Sequence, residues 1–217
     1  MKITYAGHST VRLQGTKIIF IDPFFAGNPQ APHGPEKVTK ADIIVVTHDH
    51  GDHIGDALPI CKFTGATLVS QFEIAKEAES VGVKAEGMNI GGAIDVQGVK
   101  IAFTEALHSS ATGHPMGAVV TMDGKTIYHC GDTGLFTDMK LIGELFKPDL
   151  AFVPIGGRFT MDIPQAVRAV EFIGAPIVIP IHYNTWPIIV ADPHEFAKKV
   201  GKKARVVVLK PAESFEL

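Results

Sequence analysis

Within six residues the chain presents His48, His50, Asp52 and His53, in the run Thr47-His48-Asp49-His50-Gly51-Asp52-His53. Imidazole and carboxylate suit zinc, manganese, iron or nickel, and a run without thiolates argues against a structural zinc site. In extended backbone, residues two apart share a face, so His48 and His50 can hold one ion together. Gly51 permits a sharp turn, which lets Asp52 and His53 face a second ion. Four ligands on one ion would leave no comfortable open position for chemistry, so two ions are expected. Asp49 is expected to point away, toward solvent or a hydrogen bond behind the ligands. A polar loop that is His-rich by chance is the competing reading, but three histidines at this spacing have no cheap packing explanation.

The elements around this run must hold it at a fixed place. Residues 41–47 (ADIIVVT) form a continuous apolar stretch that reads as a fully buried strand and stops at His48. Upstream, short strands over 3–5, 11–13 and 16–21 read as an antiparallel meander, ended by Asp22-Pro23 because proline has no ladder donor. Residues 27–40 form a long loop rich in Pro, Gly and Asn, of a kind that is often functional. Helices are expected over 54–63 and 71–80, with a strand over 67–69 between them. Strands follow over 98–106, 118–122 and 126–130, the last two joined by the hairpin signal Asp123-Gly124. The C-terminal third alternates: helix 138–146, strand 150–154, helix 163–173, strand 177–181, helix 193–200, strand 205–209. With no repeat or linker, residues 1–217 read as one α/β (α+β) domain of two packed sheets with helices outside.

Composition narrows the function classes. The 217 residues are 46% hydrophobic, with 20 basic and 23 acidic side chains, which excludes a strongly basic nucleic-acid binder and a disordered acidic chain. No apolar run approaches the roughly 18 residues of a membrane span. Cys61 and Cys130 are too few for a disulfide framework and read as small buried side chains, and the start MKITYAGHSTVRL lacks a signal peptide's apolar stretch. A cytoplasmic location is expected. The unusual feature is ten histidines.

The segment His48-x-His50-x-Asp52-His53 resembles the H-x-H-x-D-H signature of the metallo-β-lactamase-fold hydrolases. That resemblance implies a four-layer αββα sandwich with metals at one edge, and further ligands at downstream strand ends. His108, Asp132 and His182 stand where it calls for them. By carry-over, His48, His50 and His108 would hold one ion, Asp52, His53 and His182 the other, and Asp132 would bridge both. β-Lactamases often have cysteine at this last position, so Asp132 points to the hydrolase and lactonase branches. Ala6-Gly7-His8-Ser9, Ile21-Asp22-Pro23, Pro154-Ile155-Gly156-Gly157 with Thr160-Met161, and Pro180-Ile181-His182-Tyr183 are similar to the group containing L-ascorbate-6-phosphate lactonase. They are closer still to its bacterial and archaeal metal-dependent relatives. N-acyl-phosphatidylethanolamine phospholipase D shares parts of the pattern.

The implied chemistry is hydrolysis of a small ester, lactone or phosphodiester by a hydroxide bridging two divalent ions, zinc or manganese first, nickel or iron as alternatives. Asp52 would orient the hydroxide. His8 is either a structural turn residue or a group acting beside the metals. Asp22 is either a turn former or, by slight preference, the carboxylate that orients a ligand imidazole. His114 is the rival of His108, which the strand-end rule prefers. His129 reads as a core histidine, His33 and His194 as surface groups. Arg158 is either a contact for an anionic substrate or a surface charge, and Tyr183 and Trp186 either wall the pocket or pack. Partners are a small-molecule substrate, without membrane or nucleic acid; a homo-oligomer is compatible. The alternatives are a nuclease of the same fold, a di-iron redox protein and a non-catalytic metal-binding module.

Overall fold

The meander and the apolar run meet in one sheet. In the computed structural model, which describes residues 1–217, β1 (Lys2–Tyr5), β2 (Val11–Gln14) and β3 (Ile18–Ile21) pair antiparallel in succession. From β3 onward the sheet is parallel, through β4 (Ile43–Val45), β5 (Thr67–Gln71) and β6 (Ala85–Met88). The C-terminal strand Ser214–Glu216 returns to pair with β1, giving seven strands. These strands, with residues 109–116, form the first of two compact units. Helices α1 (Ala57–Thr64) and α2 (Phe72–Ser80) set Ile60, Cys61, Ile74 and Ala78 into a core cluster with Ile18, Phe20, Ile44, Val46 and Leu68 of the sheet. The intervening residues Ile19, Ile21, Ile43 and Val45 are fully buried as well. Burial on both faces is why this stretch reads as a continuous apolar run rather than an alternating one.

The second unit repeats the plan. Its strands run in sequence order across a seven-stranded sheet: β7 (Ile94–Val96), β8 (Val99–Glu105), β9 (Met116–Met122), β10 (Lys125–His129), β11 (Leu150–Pro154), β12 (Ile177–Ile181) and β13 (Arg205–Val206). The β7–β8 and β9–β10 pairs are antiparallel, and β10 through β13 are parallel. Asp123 and Gly124 both take positive φ, 53° and 72°, as a type I′ hairpin turn requires. Helices α3 (Met139–Phe146), α4 (Ile163–Ile173) and α5 (Pro193–Val200) bury Met139, Ile142, Val170 and Phe196 with Tyr128, Val153 and Val178 of the sheet. Asp162 and Asp192 cap α4 and α5 through their carboxylates, and Gly174 ends α4 in the left-handed region.

Several elements differ from the sequence reading, and β4, expected over 41–47, pairs only over Ile43–Val45. Helix α1 starts at Ala57 rather than at 54 because the preceding residues run as turns, with His53 N donating to His50 O at 2.9 Å and Ala57 N to Ile54 O at 2.8 Å; the Asp56 carboxylate accepts from the Phe25 and Ala26 amides at 2.7 and 2.9 Å. Strand β13 stops at Val206 rather than at 209. Val207 N still donates to Val178 O, but the next residue of β12 facing that neighbour is Pro180, which has no N–H to give. Strands β6, β7 and the C-terminal strand were not expected. They lie at or next to sheet edges and are largely exposed, so backbone pairing rather than apolar patterning places them.

Cys61 and Cys130 are buried and unbridged, and burial pushes each thiol up to about 12. The thiolate is the reactive form, so neither should react with iodoacetamide at about pH 8 in the folded chain, and both should react in denaturant. Labelling of either in the folded chain would contradict this. Burial likewise pushes the Tyr183 hydroxyl up to about 12. All three values are raised on folding, so their contribution is complete below the ordinary values and is lost as pH rises toward 12.

Candidate metal centre

In the first unit the parallel register pairs Ile21 with Val45, so Asp22 and the Thr47-His48 step emerge at the same carboxyl end of the sheet. Ligand sites of α/β sheets collect at such ends. Asp22 takes φ 48°, left-handed for a non-glycine residue. Its amide donates to Val45 O at 2.9 Å, and its carbonyl accepts from Thr10 Oγ1 at 2.7 Å. These bonds hold the strained turn and aim the carboxylate inward. Asp22 Oδ1 accepts from Thr47 N at 2.8 Å; Oδ2 accepts from Thr47 Oγ1 at 2.7 Å and lies 2.7 Å from His53 Nδ1. Asp22, Thr47, His48 and His53 are all fully buried. A buried carboxylate is tolerable only when satisfied in this way.

The network assigns two tautomers. An ionised Asp22 only accepts, so His53 carries its proton on Nδ1 and offers the Nε2 lone pair. Thr47 has one hydroxyl proton and gives it to Asp22, so His48 Nδ1, 3.0 Å from Thr47 Oγ1, must donate there. The Nε2 lone pair of His48 is then directed at His50 Nδ1, 3.0 Å away. A carboxylate or hydroxyl behind an imidazole, fixing its tautomer, is how proteins orient metal ligands. His8, Asp52 and His53 each offer a ligand atom within 4.8 Å of the others'. Donor type, orientation and spacing therefore suit a divalent cation.

His8 is bonded to Asp52: Nε2 lies 3.0 Å from Oδ2, with His8 fully buried and the Asp52 side chain 25% exposed. The turn carrying His8 is clamped on both sides. Its amide donates to Gln30 Oε1 at 3.0 Å and its carbonyl accepts from Tyr5 Oη at 3.1 Å. Gly7 takes φ 97°, and a Cβ there would stand 2.9 Å from Gln30 Cβ, so only glycine fits. His8 itself is left-handed at φ 56°. Backbone strain held in place by surrounding bonds is characteristic of functional positions.

In the second unit, Asp132 follows the end of β10 and His182 the end of β12, at the carboxyl ends of the parallel strands. Asp132 Oδ2 lies 3.0 Å from His182 Nε2 and 3.6 Å from His108 Nε2, the latter beyond hydrogen-bond range. The His108 loop is held by Leu107, whose amide donates to Thr133 Oγ1 at 2.9 Å and whose carbonyl accepts from Gly134 N at 3.0 Å. His129 is fully buried, and its Nδ1 accepts from Gly131 N at 3.1 Å, shaping the turn before Asp132. His182 takes φ 54°. A Cβ at Gly156 would collide with the His182 carbonyl oxygen. Gly156→Ala is therefore expected to destabilise the chain by about 1–3 kcal/mol and to displace His182. Thermal melting together with metal titration would check it; an unchanged melt and affinity would contradict it.

The remaining sequence candidates fall as follows. Asp49 turns away, and its Oδ1 accepts from Ala111 N at 3.0 Å, fastening residues 109–116. The His114 side chain is exposed while its amide donates to Gln71 Oε1 at 2.5 Å. His33 and His194 are exposed. Arg158 is exposed, with its guanidinium 5.4 Å from the Phe159 ring. Tyr183 is buried within the second unit's core, so it packs. Sequence reasoning missed Thr47, Gln30, Thr10 and Thr133. Thr47 adjoins the ligand run and could have been suspected of bonding to it; the other three carry no signal in their local sequence.

Comparison with known proteins bears directly on this arrangement. Residues 17–183 match the β-lactamase superfamily domain. The chain is 49% identical to a UPF0173 metal-dependent hydrolase of Korarchaeum cryptofilum and 51% identical to one of Pyrococcus abyssi, each over 100% of both proteins. It superposes on the solved structure of Igni18, a metallo hydrolase from Ignicoccus hospitalis, with TM-score 0.94 and 44% identity, covering 100% of this chain and 98% of that one. Full-length identity near one half, on the fold the ligand motif implied, leads to one conclusion: the chain belongs to the UPF0173 metal-dependent hydrolases of the β-lactamase superfamily.

Proposed function

We propose that this chain is a dinuclear metal-dependent hydrolase of a small ester, lactone or phosphodiester. The carrying observation is the Asp22–Thr47 network, which presents the Nε2 lone pairs of His48 and His53 beside His50 and Asp52. In this reading His48, His50 and His108 would hold one ion, Asp52, His53 and His182 the other, and Asp132 would serve both. Zinc and manganese lead, with nickel and iron as alternatives, because the donors are imidazole and carboxylate only. When bound, such an ion pair polarises a carbonyl or phosphoryl oxygen and acidifies water toward neutrality.

The chain's own groups then divide the work. Asp52 accepts a hydrogen bond from the attacking water and orients it, and the hydrogen bond from His8 Nε2 to Asp52 Oδ2, 3.0 Å long, fixes that carboxylate's direction. His8 is thus a positioning residue, and Asp52 is the catalytic one. Asp22 and Thr47 hold the imidazoles in their ligating tautomers throughout. A cytoplasmic location is part of this proposal; no helix is long and apolar enough to cross a membrane.

The test is a hydrolysis panel of bis-p-nitrophenyl phosphate, p-nitrophenyl acetate and sugar lactones, with the chain loaded in turn with zinc, manganese, nickel and iron. Metal-dependent turnover of at least one substrate class is expected. No turnover with any metal would overturn the reading. His8→Gln should lower kcat by about 10- to 100-fold, with KM and metal content unchanged.

A further inference from the structure

A cavity of about 300 Å³ opens in the first unit, lined by β1, β2 and the loop over residues 27–40. Its lining includes the buried side chains of Phe20, Phe25 and Val38, and four cationic or titratable groups: Arg12, Lys37, Lys40 and His33. No carboxylate lines it. A larger cavity beside α3 and α4 in the second unit is a useful contrast. There Lys140 and Arg168 are paired with Glu144 and Glu171, which line the same space, leaving Lys147 as its one unpaired cation.

The first-unit cations have no such compensation. Arg12 Nη1 donates at 2.8 Å to the neutral amide oxygen of Gln14, and neither Arg12, Lys37 nor Lys40 forms an ion pair. Arg12 is half-buried, and desolvation lowers its pKa. The guanidinium has five N–H donors in a fork that matches phosphate, and most remain available. The ring of His33 stacks on Phe25 with centroids 5.1 Å apart and planes 16° from parallel, extending the aromatic surface beside the cations.

We propose that this cavity binds a small organic phosphate, with its anionic group on Arg12, Lys37 and Lys40 and its apolar or aromatic body against Phe20 and Phe25. The volume suits a ligand of about the size of phenyl phosphate. The site shares no residue with the proposed metal ligands and stands independently of the hydrolase reading.

Calorimetric titration of the metal-loaded chain with phenyl phosphate tests the proposal. Arg12→Gln should weaken binding by about tenfold or more, and rising salt should weaken it further. His182→Ala should leave the binding unchanged. Inorganic phosphate should bind more weakly than phenyl phosphate. An unaltered affinity in Arg12→Gln, or binding lost in His182→Ala, would overturn the site; the second result would assign the anion to the metal centre. Equal affinity for the two phosphates would overturn the role of Phe20 and Phe25. Arg12-dependent retention on phosphatidylserine vesicles would identify a lipid headgroup and overturn the small-molecule assignment. If Arg12→Gln does not fold, Lys37→Gln/Lys40→Gln alters two exposed side chains and should weaken binding by about three- to tenfold; no change there would overturn the proposal equally.

Discussion

Asp22→Asn is expected to lower metal affinity by about 10- to 100-fold while the chain remains folded. Thr47 N–H needs an acceptor at the position of Asp22 Oδ1, so the asparagine carbonyl must stand there and its NH2 must replace Oδ2. That NH2 faces Thr47 Oγ1 and His53 Nδ1, which both donate in the native network. A donor facing His53 Nδ1 drives the imidazole proton to Nε2, the nitrogen proposed to face the metal. Thr47 loses its acceptor in the same step, which releases its hold on the His48 tautomer. Competition against a chromogenic chelator measures the affinity, and a thermal melt separates this from unfolding. A stability lowered by about 1–3 kcal/mol is consistent with the unsatisfied donors. Native affinity in a folded Asp22→Asn chain would contradict the orienting role of Asp22.

Asp132→Ala is expected to lower hydrolysis by about three orders of magnitude, since the proposed ion pair contributes several kcal/mol of transition-state stabilisation. Asp132 is almost fully buried, with Oδ2 3.0 Å from His182 Nε2 and 3.6 Å from His108 Nε2. Two imidazoles gathered on one carboxylate oxygen suit a shared ligand better than an ordinary ion pair. His182→Ala should cost activity on the same scale while leaving one ion bound. Turnover within about tenfold of native in either folded variant would remove Asp132 and His182 from the centre. The contrast between them is informative, because loss of a shared ligand should affect both ions and loss of His182 only one.

The strands that carry the chemistry were the most legible part of the chain. Residues 41–47 announced a buried strand because both faces of β4 are covered, and Asp123-Gly124 announced its hairpin because both residues must take positive φ. The candidate ligand run was equally plain, since His48, His50, Asp52 and His53 fall within six residues. The shell behind it was not. Asp22 lies 31 residues from His53, and Gln30 lies 22 from His8; only the parallel register of β3 and β4 and the course of the 27–40 loop bring them together. Thr10 and Thr133 act through single hydroxyls whose partners are set by tertiary structure. Edge strands such as β7 escaped notice because three half-exposed residues carry no usable period. Local sequence encodes donors and periodicity, and register decides which donors meet.

Metal content of the purified chain, measured by mass spectrometry of the bound ions after loading and desalting, addresses the dinuclear reading most directly. Two divalent ions per chain are expected, with the count lowered in Asp132→Ala. A folded native chain that retains one ion or none at saturating metal would contradict it.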